Sequence, residues 1–402
     1  MVKSHTHIVL LFALILSSMT MLSPEVKASS NKKDIFDRFK RPMPEIKLMS
    51  EEDFNSKTKY YNKTPYDQDV LAYSIRVDKN WIEAESRSSS NFSLSEKLFT
   101  ELNKFYSKPS IHGRSRLEIQ ALNLDGNLTA EQWYIKFILE GGYTTEGMVV
   151  HGENKVESLM IIMEKDTSYY LRTLITLNGN KVIMAQYYVP ANVIKYEAVM
   201  QAQVLKSFKI SSYVERKFTE MQNFRMLDIA EIFYPEAWKA IPKPIRSTER
   251  LNLSIINLKE STTINSQGVR KTESAAEGKL EIELVSSAVK TTLLEEIVEF
   301  KKGIESTNII IGDKLSTLEE QDYNEVMDFG ITEVYKGIDA VSNKSDYEVW
   351  FTVMVGGNYY YLLTMVTPSR NDAFATWAEN TQHYRIMISR FTPMIGAFLK
   401  ND

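Results

Sequence analysis

Residues 171–190 read LRTLITLNGNKVIMAQYYVP, and residues 349–368 read VWFTVMVGGNYYYLLTMVTP. Each is an apolar-rich run, a short glycine–asparagine turn, a second apolar-rich run and a proline. Leu177 precedes Pro190 by thirteen residues, and Val355 precedes Pro368 by thirteen. Gly179 and Gly357 supply the positive φ that a tight hairpin turn requires. Both stretches predict a long antiparallel hairpin closed by a proline, which cannot donate to a sheet ladder. The same signal at the same interval points to a duplicated module.

Other markers recur in the same order on either side of these hairpins. Ile75 is followed six residues later by Trp81, and Ile232 six residues later by Trp238. Each pair reads as a short strand, a turn and a tryptophan core anchor. Residues 116–122 (RLEIQAL) match 279–285 (KLEIELV), both alternating as half-buried strands do. Thr129 with Gln132, and Thr292 with Glu295, form capping boxes that open amphipathic helices. Gly141 stands where the first of these helices should stop. After Pro190 and Pro368 a last helix is expected, closing near Ser207-Phe208 and Arg390-Phe391.

The copies differ at their peripheries. Ser93 to Glu96 resembles another capping box, so a helix is expected over 93–106 in the first copy alone. Residues 260–278 form a polar excursion of the second copy, read as a long hairpin tip or a mobile loop. The expected plan is a signal peptide (1–28), an extended arm broken by Pro42, Pro44 and Pro65 (29–66), module one (67–212), a connector (213–228) and module two (229–398). The fold class is α/β of the α+β kind: two tandem α/β sandwiches, each a mainly antiparallel sheet flanked by helices.

The order of strand, turn, tryptophan, further strands, helix, long hairpin, proline and closing helix resembles the Mog1/PsbP-like family. The matching residues are Ile75, Trp81, Tyr187 to Pro190 and Ser207-Phe208, then Tyr234-Pro235, Trp238, Met365 to Pro368 and Phe391. The resemblance implies a central antiparallel sheet between helices. It also implies a binding or assembly role rather than an enzymatic one. The matching positions are packing positions, so no functional residue is carried over. The first copy lacks the proline before its tryptophan and is the more divergent.

Composition excludes several functions. The 402 residues include no cysteine, so disulfides, thiolate metal sites and thiol catalysis are ruled out. The net charge of −4, with dispersed basic residues, argues against a nucleic-acid surface. Lys3, the apolar run 8–16 and Val26-Lys27-Ala28 read as a cleavable export signal cut after Ala28, giving a periplasmic or secreted chain. No later run is long and apolar enough to span a bilayer, so the mature chain has no integral membrane segment.

Catalytic signatures are missing: no nucleophile elbow, phosphate-binding loop or H-E-x-x-H. Beyond the leader, His112, His151 and His383 lie far apart in sequence, so no catalytic, cofactor or metal site is assigned. His112 lies beside Arg114 and Arg116, which reads first as a solvated loop and only second as an anion-binding spot. Aromatics are abundant, with 21 tyrosines and 18 phenylalanines. In an alternating strand one of two adjacent residues faces outward. Tyr170, Tyr188 and Tyr360 are thereby candidates for contact with a partner, Tyr being enriched at interface hot spots. Pro190, Pro368, Gly179, Gly357, Trp81 and Trp238 are structural anchors. The expected function is that of a non-catalytic binding or assembly protein of the bacterial cell envelope, partnered by other envelope proteins. A secretion or conjugation apparatus is one such setting. The alternative is a periplasmic hydrolase or small-ligand carrier with a pocket between sheet and helix.

Overall fold

The computed structural model describes residues 34–84, 94–95, 98–109, 113–124, 126–217, 220–264, 270–319 and 321–399, with side chains at 261–273 left aside. The expected signal peptide lies outside these residues. The chain divides at Glu220 into two compact units.

The first unit runs α1 (Ile35–Phe39), α2 (Glu51–Lys57), β1 (Thr58–Lys63), β2 (Tyr73–Asp78), β3 (Ile82–Glu83), β4 (Thr100–Tyr106) and β5 (Arg116–Asn123). Then come α3 (Ala130–Glu140), β6 (Gly147–Val150), β7 (Lys155–Glu164), β8 (Thr167–Asn178), β9 (Lys181–Pro190), α4 (Ile194–Lys206) and β10 (Lys209–Ile210). Seven strands form an antiparallel sheet in the order β3-β4-β5-β9-β8-β7-β6, and β1-β2-β10 form a smaller one.

Alternation divides the large sheet into two faces. Leu117, Ile119 and Ala121 of β5, with Ile183, Ala185, Tyr187 and Val189 of β9, enter the core. Tyr73, Ile75 and Val77 of β2, with Val204 and Leu205 of α4, close it from the other side. Residues between them, such as Glu118 and Tyr188, face the opposite way. There α3 covers β7 and β8, its Tyr134 hydroxyl bonded to Ser158.

The second unit repeats this plan with β11 (Met221–Met226), β12 (Ala230–Pro235), β13 (Lys239–Pro242), β14 (Arg250–Ile264), β15 (Arg270–Ser286) and α5 (Leu293–Glu305). It continues with β16 (Ile309–Thr317), β17 (Phe329–Asp339), β18 (Tyr347–Gly356), β19 (Tyr359–Pro368), α6 (Phe374–Arg390) and β20 (Thr392–Pro393). Its sheets are β13-β14-β15-β19-β18-β17-β16 and β11-β12-β20, the same orders as before. The protein is therefore a tandem pair of α+β units with matching topology. Even the register repeats. Arg116 pairs with Tyr188 and Leu171 with Tyr188, just as Lys279 pairs with Val366 and Val349 with Val366.

Local chemistry explains the framework. Both capping boxes are formed, at Thr129 with Gln132 and at Thr292 with Glu295. The two closing hairpins turn at Gly179 (φ +54°) and Gly357 (φ +60°). Trp81 and Trp238 follow the same tight turn, their amides donating to Asp78 O and Pro235 O. Trp238 is buried and Trp81 half-buried, its ring 5.0 Å from that of Tyr187.

Three expectations are corrected. Residues 100–106 are not helical: they form β4, paired from Thr100↔Ala121 to Tyr106↔Arg116. A register shift between Glu101 and Asn103 lets Leu102 and Phe105 both enter the core, and that spacing of three imitates a helix. Ser93 and Glu96 lie outside the described residues. The arm 29–66 is not an extended linker over its described part. β1 pairs with β2 along its whole length, Phe54 is buried in the core, and Phe39 O accepts from Thr145 Oγ1 at 3.1 Å. Its prolines break it into short elements instead of keeping it out of the fold. The connector 213–228 contains β11, which pairs with β12 and so belongs to the second unit. The excursion 260–278 is the outer part of the β14–β15 hairpin, as far as its described residues reach.

Candidate functional site

The sheet face that carries α3 in the first unit leaves the ends of β4, β5, β9 and β8 uncovered by that helix. Tyr106, Arg116 and Tyr188 stand in one row across three of these strands. Strand alternation puts all three on the same face. Two turns contribute more: Arg114 and Gly113 precede β5, and Glu164 and Lys165 link β7 to β8. With Tyr106, Arg116 and Tyr169 they line a cleft of about 220 Å³.

Arg116 is the centre of the arrangement. Its guanidinium lies 3.6 Å from the Tyr188 ring centroid and 5.0 Å from that of Tyr169. Its Nε donates to Glu118 Oε1 at 2.8 Å and its Nη2 to Glu164 Oε1 at 2.5 Å. Burial opposes the charge, but Glu164 and Glu118 outweigh it and hold the group above its ordinary pKa. Burial also raises the Tyr188 hydroxyl, with Glu118 adding to it. Lys104 reaches Glu118 Oε1 at 2.7 Å, and Gln120 Nε2 donates to Glu118 Oε2 at 3.0 Å. Arg114 lies 4.1 Å from the Tyr106 ring centroid. The lining residues thus bring three cations and one carboxylate between tyrosine walls. Such a surface suits a carboxylate, held by charge and by cation–π-oriented arginines. Nothing in it resembles a nucleophile poised beside a base.

The second unit keeps the frame and changes the chemistry. Lys279 stands where Arg116 stands, ion-paired to Glu281 Oε1 at 2.6 Å. Lys243 and Ser254 converge on the same carboxylate. Further along the face Arg250 binds Glu283 and both oxygens of Glu296, at 2.8 and 2.7 Å. α5 packs Ile297 against Tyr335, Val349, Phe351, Val353 and Leu362, giving a second apolar cluster. Lys301 of that helix sits over the Tyr335 and Phe351 rings, and burial lowers its pKa.

The tyrosines expected at a contact surface do not share one. Tyr170 is half-buried on the α4 side of the first sheet, and Gln201 Nε2 donates to its carbonyl. Tyr188 faces the opposite side and is buried under Arg116. Tyr360 is half-buried on β19 of the second unit. Tyr188 is therefore packed beneath a cleft-lining arginine, not an exposed contact. His151 is exposed, 3.8 Å from Glu157. His383 is mostly buried, with neither ring nitrogen hydrogen-bonded, and burial lowers its pKa to about 4. His112 lies outside the described residues. Among the described residues no three of His, Asp and Glu group to hold a metal ion.

Sequence reading singled out Arg114 and Arg116 but missed Tyr106, Glu164, Lys165 and Tyr169. These come from other hairpins, and only the register brings them to Arg116. No described helix is long and apolar enough to cross a membrane.

No known protein family matches the chain, and no curated protein sequence matches it. Solved structures resemble it at low identity. PsbP (CyanoP) from the cyanobacterium Synechocystis matches at 13% identity over 38% of this chain and 92% of its own, with a TM-score of 0.29. A Bacteroides thetaiotaomicron protein matches at 16% identity over 42% of this chain and 55% of its own, with a TM-score of 0.26. The T6SS immunity protein TplEi of Pseudomonas aeruginosa matches at 10% identity over 84% of this chain and 98% of its own, with a TM-score of 0.20.

Proposed function

We propose that the protein is an exported, non-catalytic binding protein of the bacterial cell envelope, whose two units share a framework and present different surfaces to protein partners. Export is the role of residues 1–28 in this proposal. The observation that carries it is the contrast at one equivalent position. Arg116, itself paired with Glu118 and Glu164, borders a tyrosine-walled cleft, whereas Lys279 pairs with Glu281 on the same face of the other unit. Duplication that holds register constant while replacing outward residues suits two recognition surfaces better than one catalytic centre.

In this proposal the cleft receives an acidic side chain or a terminal carboxylate of the partner. Its size suits a single side chain better than a whole small ligand. At about 220 Å³ it falls below the roughly 300–1,000 Å³ of ordinary ligand pockets, yet it accommodates one side chain. The test is crosslinking in intact cells followed by mass spectrometry, comparing the natural chain with an Arg114→Glu/Lys165→Glu variant of unchanged thermal stability. A specific envelope partner that is lost in the variant supports the proposal. Turnover of a small substrate by the purified chain, with no partner captured, overturns it.

A further inference from the structure

α3 and α5 open on equivalent capping boxes, and nine residues on from Thr129 and Thr292 stand Ile138 in one unit and Lys301 in the other. Ile138 is fully buried. A core position of the first unit is therefore an amine in the second. The surroundings have changed with it. Leu171 pairs with Met160 and Val349 with Tyr335, so Tyr335 takes the place of Met160 and Glu333 that of Ser158. Tyr134, which bonds to Ser158 in the first unit, has Ile297 as its counterpart in the second.

Lys301 is half-buried between α5 and the sheet. Its Nζ lies 4.5 Å from the Tyr335 ring centroid and 4.8 Å from that of Phe351, and it donates to the Tyr335 hydroxyl at 3.1 Å. Tyr335 in turn donates to Glu333 Oε2, while Glu333 Oε1 accepts from Lys314 Nζ at 2.9 Å. An ammonium placed only for structure would meet a carboxylate directly. Here Glu333 is taken by Lys314 and Tyr335, and Lys301 faces a phenol and two ring faces. Burial disfavours its charged form and Lys314 adds to that effect. The nearby carboxylates Glu333 and Glu305 do not offset it, so the amine is held below its ordinary pKa.

An amine so placed has a proton route through Tyr335 to Glu333, which is the arrangement of a nucleophilic lysine. We propose that Lys301 is a covalent capture site for small aldehydes, which it binds as a Schiff base. The amine nitrogen attacks the carbonyl carbon and a C–N bond forms. The carbonyl oxygen then leaves as water, carrying the two protons of the neutral amine. Tyr335 takes one of those protons while handing its own to Glu333, and returns it to the departing hydroxyl. The imine, protonated by solvent, is again a cation and keeps its place over the Tyr335 and Phe351 rings. The same rings argue against carbon dioxide as the electrophile, because a carbamate would set a negative charge against their faces. The half-buried position admits only a small carbonyl compound. The reaction is stoichiometric, so the site stands beside the protein-binding role and is independent of it.

The test treats the full chain at neutral pH with propionaldehyde and cyanoborohydride, which reduces the imine to a stable secondary amine. Peptide mass spectrometry then reads each lysine. Lys302, the next residue of the same helix and exposed, is the internal standard. Lys301 is expected to react on the order of tenfold faster than Lys302 in the folded chain, and at the same rate once the chain is unfolded. Lys301→Ile restores the residue that the first unit carries, and should abolish the fast site alone. Tyr335→Phe keeps the ring and removes the proton route, so it should slow Lys301 several-fold and leave Lys302 unchanged. A folded-state rate for Lys301 no higher than that of Lys302, a preference that survives unfolding, or a rate that Tyr335→Phe does not lower overturns the proposal.

Discussion

Arg116 lies 3.6 Å above the ring of Tyr188, its direct partner across the β5–β9 ladder. The position is set twice: by the sheet register and by carboxylates at Glu118 and Glu164. A guanidinium so enclosed is both a structural member and the wall of the cleft. Arg116→Ala removes the ion pairs and the cation–π contact and leaves Glu118 with Lys104 and Gln120 for company. A loss of about 2–3 kcal/mol is expected, since breaking a partly desolvated pair strands its partners. Urea unfolding measures it, and an unchanged midpoint would mean that the arginine is held in place by nothing it touches. Arg116→Lys should recover little, as an ammonium cannot reach two carboxylates with planar geometry.

His383 gives the second unit a dependence on pH. Its ring packs against Trp238, 5.7 Å between centroids, with no partner for either nitrogen. Burial lowers its pKa to about 4, against 6.5 for the free side chain. Between those values the unfolded chain binds a proton that the folded chain refuses, so stability falls as pH drops from about 6.5 towards 4. The full loss is about 3 kcal/mol at the rate of about 1.4 kcal/mol per pKa unit. It should be absent in His383→Leu. Unfolding midpoints of both proteins between pH 4 and 7 provide the check: parallel curves would show that the histidine is hydrated or paired in solution.

The tryptophans test the equivalence of the two units. Trp238 is buried, and its truncation to alanine should cost about 3–5 kcal/mol. Trp81 is half-buried against Tyr187, so its loss should cost less, about 2 kcal/mol. Each change should speed amide exchange in its own unit, at β2 for Trp81→Ala and at β12 for Trp238→Ala. If either substitution destabilised both units equally, they would be one cooperative block and the separation at Glu220 would not hold energetically.

The duplication was legible because its markers are local. A glycine turn, a terminal proline and a capping box each announce themselves within a few residues. The cleft was not, because its members come from β4, the turn before β5, the β7–β8 turn and β8. Arg116 meets Glu164 only after the strands are ordered β5-β9-β8-β7. The misread helix at 100–106 and the misread arm share one cause. Local pattern weighs a bulge or a proline by itself, whereas pairing with β5 or β2 decides the outcome. Tyr188 failed as a surface residue for the opposite reason. Alternation correctly turns it away from the main core, but Arg116 covers it there.

The two turn glycines offer a graded comparison. Gly179 and Gly357 both take positive φ, at +54° and +60°, where a side chain costs about 1–2 kcal/mol. Their surroundings differ. A Cβ at Gly179 would meet Val214 Cγ1 at 3.2 Å, the movable end of a side chain. At Gly357 it would lie 2.5 Å from the backbone carbonyl of Ala397, which also accepts from Asn358 N at 2.7 Å. Gly179→Ala should therefore cost only the conformational amount, about 1 kcal/mol. Gly357→Ala must in addition push the C-terminal segment off the hairpin, for a total of about 3 kcal/mol. Chemical unfolding ranks the two, and proteolysis near Leu399 should accelerate in Gly357→Ala alone. Equal costs would mean that the segment around Ala397 does not rest on the β18–β19 turn in solution.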